Sequence, residues 1–436
     1  MTFATTLAER LGALTRQPAS PELAIADWRI LVDSATSADI GLKDGHLGGP
    51  YDAPNVVSGT RGEAYLRWAD GRVSTGTIDR TTLENLEEDL ALWRQAAYED
   101  EFAAEILGPQ PIPEVPLHDA AVAAMVQGEQ APMFEVLARL KAELAPYEVD
   151  RVSGGVTVSE TQRRLLTSRG LDHASRATSV GVYADADHRA YDYVSARVFP
   201  EASEIDRLIR SVGETNRLLR REATLRPGRQ PIVFMPGPTE SMLGKFLFPN
   251  LDGQRVLNGS SAYALDQFLE GASLFDPAFG LAIDPLVPMS PGSYAATREG
   301  VPARRLSLIA GGQLVTPLLD LKHARKSGLA PTPFPRGGSS LRLEGPTEPF
   351  EALIRSLENG FVVYQMLGLH TQDSVRGRFS LTVSQGLVIE NGELKGHAKA
   401  LIAGHFMQAL SEPFRLGAVA GKDVPALMIQ GDVMPG

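Results

Sequence analysis

The sequence predicts an α+β fold built from two domains. Runs of predicted strands follow one another with few helices between them, which is typical of an α+β protein and differs from the strict alternation of a doubly wound sheet. The length of 436 residues, 43% of them hydrophobic, allows two or three cores. A segment of arginine, proline and glycine at residues 226–231 separates the two runs. We therefore predict an N-terminal α+β domain over residues 1–225 and a strand-rich C-terminal domain over residues 226–436.

The N-terminal domain is predicted to mix helices and strands. Amphipathic spacing indicates the helices, alternating apolar residues indicate the strands, and Asp70-Gly71 is a hairpin turn signal. The last helix is expected to begin at Ser203, with a capping box to Asp206. In chain order the predicted elements are a helix at 1–17, strands at 28–37 and 63–78, a long helix at 79–107, a helix at 132–144, a strand meander at 152–199 and a helix at 203–221.

The C-terminal domain is predicted to be mostly strand. Its clearest signal is Asn391-Gly392 between two alternating segments, which indicates a hairpin. The predicted elements are a strand at 232–235, helices at 238–249 and 260–270, and strands within 304–319, 360–367, 378–396 and 425–431.

Composition argues against several classes of function. The net charge of −11 gives no general attraction to nucleic acid or to anionic membranes, so neither is expected as a partner. No stretch approaches 18 apolar residues, and the N-terminus lacks the basic start and apolar centre of a signal peptide. The chain has no cysteine, which removes disulfides, thiolate nucleophiles and cysteine-ligated metals. We expect a cytoplasmic protein.

Common catalytic and metal-binding motifs are not matched. Residues 417–423 (GAVAGKD) resemble a phosphate loop, but three residues instead of four separate the glycines, and Asp423 replaces the magnesium-binding Ser or Thr. The eight histidines are scattered. His397 and His405 are eight residues apart, or roughly 12 Å along a helix, which is too far for one ion.

Charged residues cluster in a loop before a predicted strand. Arg298, Glu299, Arg304 and Arg305 surround Gly300. Such a loop can bind a peptide carboxylate or a partner protein. A surface loop with internal ion pairs is the alternative that the sequence favours, and both interpretations stay open.

One helix carries a single charge on an otherwise apolar segment. In PTESMLGKFLFPNLDG, residues 238–253, Thr239 is placed to cap the helix, with Glu240 in its first turn. The apolar face is predicted to contain Met242, Leu243, Phe246 and Leu247, whereas Lys245 is the only charged residue in the middle. Three interpretations of Lys245 are open: a catalytic lysine, a surface residue, or a residue that replaces a different, catalytic residue at this position.

The C-terminal half resembles the TldD/PmbA (TldE) family, once called modulators of DNA gyrase. The segments that carry the resemblance are EGVPARRLSLIAGGQLVTPLLDLKHARKSG, GFVVYQMLGLH and GRFSLTVSQGLVIENGELKGHAKALIAGHF, in that order. The N-terminal half fits more loosely, through RGEAYLRWADGRVSTGTID and the predicted long helix. The resemblance implies a two-domain TldD/PmbA-like fold.

The resemblance also implies a site without metal ligands in this chain. TldD-type subunits look like zinc metallopeptidases with H-E-x-x-x-H on a helix and a later cysteine before G-K-D, whereas TldE-type subunits lack these residues and pair with a TldD-type partner. Laid on that pattern, the ligand and base positions fall on Gly244, Lys245, Pro249 and Ala420. These residues cannot hold Zn²⁺, and a lysine cation would repel it. We expect no catalytic residue and no metal or other cofactor in this chain, with zinc only in the partner.

Three functions therefore remain open. The first is a non-catalytic TldE/PmbA-like subunit that forms a heterodimer with a TldD-type metallopeptidase and admits unfolded peptide. The second is a self-sufficient homodimeric peptide-binding protein. The third is a hydrolase with diverged, metal-independent chemistry near Glu240 and Glu299. Residues expected to contact a peptide or a partner are Glu240, Arg298, Glu299, Arg304 and Arg305.

Overall fold

The computed structural model describes residues 2–43, 46–47, 55–333 and 340–436. Within these ranges no helix is both long enough and apolar enough to cross a membrane. Up to residue 225 the helices are α1 Phe3–Arg16, α2 Leu86–Gln95, α3 Ala120–Val126, α4 Ala131–Leu144 and α5 Ala202–Leu219. The strands there are β1 Ile25–Lys43, β2 His46–Leu47, β3 Asn55–Trp68, β4 Val73–Asp79, β5 Val152–Thr167, β6 Asp172–Ala186 and β7 Ala190–Ala196.

The remaining helices and strands lie beyond residue 225. The helices are α6 Pro236–Met242, α7 Phe248–Leu251, α8 Gly253–Leu257, α9 Leu265–Leu269, α10 Leu321–Ser327, α11 Phe350–Arg355 and α12 Phe406–Ala409. The strands are β8 Gly228–Phe234, β9 Gly280–Ile283, β10 Leu306–Ala310, β11 Gln313–Leu314, β12 Leu341–Glu344, β13 Thr347–Pro349, β14 Asn359–Leu367, β15 Arg378–Glu390, β16 Glu393–His397, β17 Ala400–His405, β18 Arg415–Ala418 and β19 Ala426–Pro435.

The N-terminal half is an antiparallel sheet with helices on one face. Its strand order is β4-β3-β1-β5-β6-β7, with β2 beside β1. Alternation along β5 buries Val156 and Val158 while leaving Thr157 exposed, as expected for a sheet with one covered face. Helices α3, α4 and α5 supply the residues that cover Val156 and Val158. Strand β7 is at one end of the strand order, next to α5.

The C-terminal half contains a closed ring of strands. Strand β8 pairs parallel with β14 and antiparallel with β19, and the series β8-β14-β15-β17-β19 therefore returns to its start. A second, smaller sheet has the order β11-β10-β9-β12. Both sheets share one apolar core with α6 and α7.

Strand β8 connects the two halves through its alternating side chains. Ile232 and Phe234 belong to the core of the C-terminal half, whereas Val233 packs in the same core as α4 and α5. Residues on both faces of β8 are fully buried. The α+β fold class is confirmed by this arrangement. The predicted domain boundary at residues 225–226 stays a prediction.

The predicted long helix at residues 79–107 is wrong. Only Leu86–Gln95 is helical. Before it, the carboxylate of Asp79 accepts hydrogen bonds from Thr81 and holds a turn. After it, Tyr98 forms an isolated bridge with Val73, and the extended chain packs Ile106 against neighbouring residues. Tertiary contacts therefore override the helical spacing.

Smaller corrections concern element ends. The helix predicted at 260–270 is limited to α9, and α3 was not predicted. The capping box of α5 uses Glu201 and Glu204, not Ser203 and Asp206. Strand β8 already begins at Gly228, so four of the six residues of the predicted linker at 226–231 are strand. The hairpin at Asn391-Gly392 is confirmed, with positive φ angles at both residues.

Candidate functional site

The helix predicted over residues 238–249 is divided into three parts. Helix α6 begins at Pro236, whose fixed φ and missing N–H suit the first helical position. A π-helical turn spans Leu243–Leu247 before α7 begins. Thr239 does not cap the helix, because its hydroxyl donates to the carbonyl oxygen of Phe234 at 2.9 Å and is buried. π-Helical turns are rare and occur frequently at functional sites.

The predicted apolar face of this segment is confirmed. Met242, Leu243, Phe246 and Leu247 are fully buried in the C-terminal core. The ring of Phe246 lies between those of Phe379, at a centroid distance of 6.4 Å, and Phe406, at 5.7 Å. These contacts fix which side of the segment faces outward.

The four positions compared with metal ligands lie on the outer side of their elements. Gly244 is exposed, and an added Cβ would meet no atom within 4 Å. Lys245 is half-buried, and its ammonium donates to the carbonyl oxygen of His370 at 3.1 Å. Pro249 is half-buried at the start of α7, and Ala420 is exposed in the turn after β18. No side chain among the four offers a ligand for zinc except an amine that here acts as a donor.

The side chains at these four positions do not form a zinc-ligand set. In the described ranges, no three His, Cys, Asp or Glu side chains come together closely enough to hold a metal ion. Gly244 has room for a larger side chain, so shape does not exclude a ligand there. Chemistry does, because glycine, proline and alanine side chains have no lone pair to donate.

A cavity of about 470 Å³ opens beside the start of α6. It lies between β7, α5, α6, β14 and the turn after β18, and so between the two halves of the chain. Its volume is in the range of small-ligand sites. Its lining consists of Tyr191, Asp192, Tyr193, Ser211, Val212, Thr215, Met235, Pro236, Gly237, Pro238, Glu240, Ser241, Tyr364, Gln365, Met366, Leu369, Gln385, Val419 and Lys422.

Lys422 ties the turn after β18 to the edge strand β7. Its ammonium is 2.5 Å from Oδ1 of Asp192 and donates to the carbonyl oxygen of Tyr193. It also lies 4.5 Å from the ring centroid of Tyr193. The second oxygen of Asp192 accepts a hydrogen bond from Ser211 at 2.8 Å. The charge of Asp192 is therefore satisfied within the protein.

Glu240 projects from α6 into the same cavity. Burial raises the pKa of its carboxyl group, attraction by Lys422 lowers it in part, and repulsion by Asp423 raises it further. Burial likewise raises the pKa of Tyr193, with a further contribution from Glu240. A titratable group with a raised pKa in a cavity between two halves of a chain is a typical feature of a functional site.

The remaining residues expected to bind a peptide or a partner lie elsewhere. Arg298 pairs with Glu63 at 3.2 Å, and Glu299 lies 3.6 Å from Arg29 and accepts a hydrogen bond from a backbone amide of α10. Both line a separate cavity of about 210 Å³ at the junction with β1 and β3.

Arg304 and Arg305, which follow in the same loop, do not line either of these two cavities. Arg304 is exposed, and Arg305 pairs with Glu344 at 2.8 Å. Of the five residues, only Glu240 lines the larger cavity.

Sequence reasoning missed the aromatic wall of the cavity. Tyr191 and Tyr193 alternate along β7 and so project from one face, and their ring centroids are 6.2 Å apart. Tyr364 reaches the cavity from β14, far along the chain. The alternation was visible in the sequence, but nothing local indicated that β7 would meet α6 and β14.

Comparison with known proteins identifies the C-terminal half and the fold. The family model of the PmbA/TldA metallopeptidase C-terminal domain matches residues 227–428. No curated protein matches the sequence.

Three solved structures share the fold over nearly the whole chain. TldE from Thermococcus kodakarensis has a TM-score of 0.83 at 19% identity, covering 99% of this chain and 100% of its own. A protein from Bacteroides thetaiotaomicron described as a modulator of DNA gyrase has a TM-score of 0.81 at 19% identity, covering 100% and 99%. A protein of the same description from Thermotoga maritima has a TM-score of 0.81 at 22% identity, covering 99% and 100%. Residues 227–428 thus match the PmbA/TldA metallopeptidase C-terminal domain, and the chain as a whole shares the fold of these three structures.

Proposed function

We propose that this chain is a non-catalytic, TldE/PmbA-like subunit of a TldD/TldE-type metallopeptidase complex. In this proposal a TldD-type partner carries the zinc, and this chain supplies part of the wall of the chamber in which unfolded peptide is processed. The observation that carries the proposal is the set of side chains at Gly244, Lys245, Pro249 and Ala420, on a fold shared with TldE.

The side chains at these four positions support a subunit that takes no part in the hydrolytic chemistry. A zinc peptidase needs three protein ligands and a base beside the metal-bound water. Lys245 stands where the resemblance places the base, and its ammonium donates a hydrogen bond to the carbonyl oxygen of His370, outside the cavity beside α6. We derive no hydrolytic step for this chain.

The cavity between the two halves supports a role in holding peptide. Aromatic and aliphatic side chains make up much of its lining, and a few polar groups give it direction. Such a mixture is typical of sites for flexible organic ligands.

The alternative of a diverged hydrolase receives less support. A pair of groups acting on one bond must converge on it, whereas Glu240 and Glu299 line different cavities. A homodimeric binding protein remains the second candidate, and stoichiometry separates it from the heterodimer.

Co-expression with a TldD-type subunit from the same genome tests the proposal. We expect a 1:1 complex by native mass measurement, one zinc per complex, and cleavage of unfolded peptide that the lone chain does not perform. As a matched control, the glutamate of the partner's H-E-x-x-x-H motif is changed to glutamine, which should abolish cleavage without dissociating the complex. One tightly bound zinc in the lone chain, or peptidase activity of the lone chain, would overturn the proposal.

A further inference from the structure

The cavity beside α6 contains more negative than positive charge. Asp192 and Glu240 are its acidic residues, and Lys422 is its only basic residue among those described. Lys422 is 2.5 Å from Asp192, and this pair accounts for one charge of each sign. The carboxylate of Glu240 is left over, and Asp423 beside the cavity adds a further negative charge.

Among the described residues, the carboxylate of Glu240 has no direct partner. None of the described residues donates a hydrogen bond to it, and its interaction with Lys422 is electrostatic only. A half-buried carboxylate without a donor is unfavourable, because the protein replaces its hydration only in part. A cation that entered the cavity would supply the missing donor.

The walls near Glu240 suit the rest of a cationic side chain. Tyr191, Tyr193 and Tyr364 present aromatic surface, and Met366 and Leu369 add aliphatic surface. Aliphatic stems pack on such surface while the charged end reaches a carboxylate, and aromatic faces attract cations directly. Lys422 already shows that geometry with Tyr193.

We infer that this cavity binds a cationic group of a peptide, either its N-terminal ammonium or the side chain of a lysine or arginine, with Glu240 as the counter-ion. The inference rests on the proposed function, because it takes peptide as the ligand. It adds a preference: peptides that carry an accessible positive charge bind this cavity more tightly than neutral peptides do.

Lys422 limits the site to one cation. Its ammonium occupies Asp192 and one face of Tyr193, so removing it frees a second carboxylate and an aromatic face. Lys422→Met keeps an unbranched side chain of similar length and removes the charge. This variant should bind cationic peptides more tightly, the opposite of the effect expected for Glu240→Gln.

Binding is measured by fluorescence anisotropy on the full chain with four labelled alanine-rich hexapeptides. They combine a free or acetylated N-terminus with a central lysine or its uncharged counterpart norleucine, so that the two sources of charge are compared separately. The peptide with both charges removed is the reference. The variants are Glu240→Gln, Lys422→Met and, as a matched control, Glu135→Gln on the exposed side of α4.

We expect at least one singly charged peptide to bind about tenfold more tightly than the neutral reference, as for one hydrogen bond to a charged group. Glu240→Gln should abolish that difference, Lys422→Met should increase it, and Glu135→Gln should leave it unchanged. Equal binding of charged and neutral peptides, or an unchanged preference in Glu240→Gln, would overturn the inference and leave the proposed complex intact. Binding of none of the four would overturn the inference as well, while the 1:1 complex and its zinc content decide the proposed function independently. If Lys422→Met does not fold, Glu240→Gln alone decides.

Discussion

Replacing Phe246 and Lys245 by alanine, one at a time, tests whether this helix serves packing or chemistry. The two residues are neighbours in the π-helical turn Leu243–Leu247 and face opposite environments. Phe246 is fully buried against Phe379 and Phe406, whereas Lys245 is half-exposed. The shared backbone makes each variant the control for the other.

The expected magnitudes differ widely. Truncating a fully buried phenylalanine costs about 3–5 kcal/mol, because the apolar contacts are lost and a cavity remains. At roughly 2–4 °C per kcal/mol for a domain of this size, Phe246→Ala should lower the melting temperature of the C-terminal half by about 6–20 °C. Lys245→Ala removes one hydrogen bond at the surface and part of an aliphatic stem, so the change should be about 0.5 kcal/mol, or about 2 °C at most.

Thermal melting followed by circular dichroism gives the stability of both variants, and peptide cleavage by the reconstituted complex gives their function. Lys245→Ala should retain cleavage and a wild-type melt. Loss of cleavage by Lys245→Ala with an unchanged melt would refute our interpretation, because Lys245 would then contribute to substrate binding or chemistry. A shift as large as that of Phe246→Ala would refute the assignment of Lys245 to the outer face.

Two further predictions concern the sheet of the N-terminal half. Arg197 is buried and donates to the carbonyl oxygens of Ser290 at 2.8 Å and Ser293 at 2.8 Å, among others. Arg197→Met should therefore destabilise the chain by about 3 kcal/mol or more, measured as a lower urea midpoint. A midpoint within error of wild type would contradict this prediction. Burial raises the pKa of Glu160, but hydrogen bonds from Arg176 and His118 outweigh burial and leave the pKa lowered. The ionised carboxylate of Glu160 therefore stabilises the fold above its unfolded pKa near 4.3, and this stabilisation is lost as the pH falls through the folded pKa. Glu160→Gln should therefore lower the urea midpoint at pH 7 and converge with wild type at pH 3, and parallel curves at both pH values would count against it.

The fold was predictable where local signals and tertiary contacts agree. Asn391-Gly392 adopts positive φ angles that these residue types tolerate, so the hairpin was visible in two residues. Val156 and Val158 alternate with exposed residues because one face of their sheet is covered. The predicted helix at residues 79–107 failed for the opposite reason. The chain after Gln95 is extended, and its apolar residues pack against the rest of the protein. Helical spacing in the sequence does not predict those tertiary contacts.

The candidate site was predictable only in part. The resemblance to a family directed attention to Gly244 and Lys245, and Glu240 was selected from the same helix. The cavity itself depends on residues more than 200 positions apart, such as Asp192 and Lys422, whose contact no local pattern indicates. Tyr191 and Tyr193 resembled ordinary strand residues in the sequence. Their alternation predicts that they share one face of β7, but it does not predict which elements that face contacts.

Lys422 belongs to the segment GAVAGKD, which does not match a phosphate loop, yet this residue lines the cavity beside α6. The spacing of the glycines around Lys422 does not match a phosphate loop. Instead of a phosphate, the ammonium of Lys422 contacts a carboxylate, a carbonyl oxygen and an aromatic ring of β7. Those contacts join the turn after β18 to the edge of the N-terminal sheet, and residues of both elements line the cavity. Because Lys422 neutralises Asp192 and not Glu240, the same residue that stabilises the junction also determines which carboxylate stays available. Lys422 therefore affects both the junction beside the cavity and the charge inside it, which is why Lys422→Met and Glu240→Gln are expected to act in opposite directions on a cationic peptide.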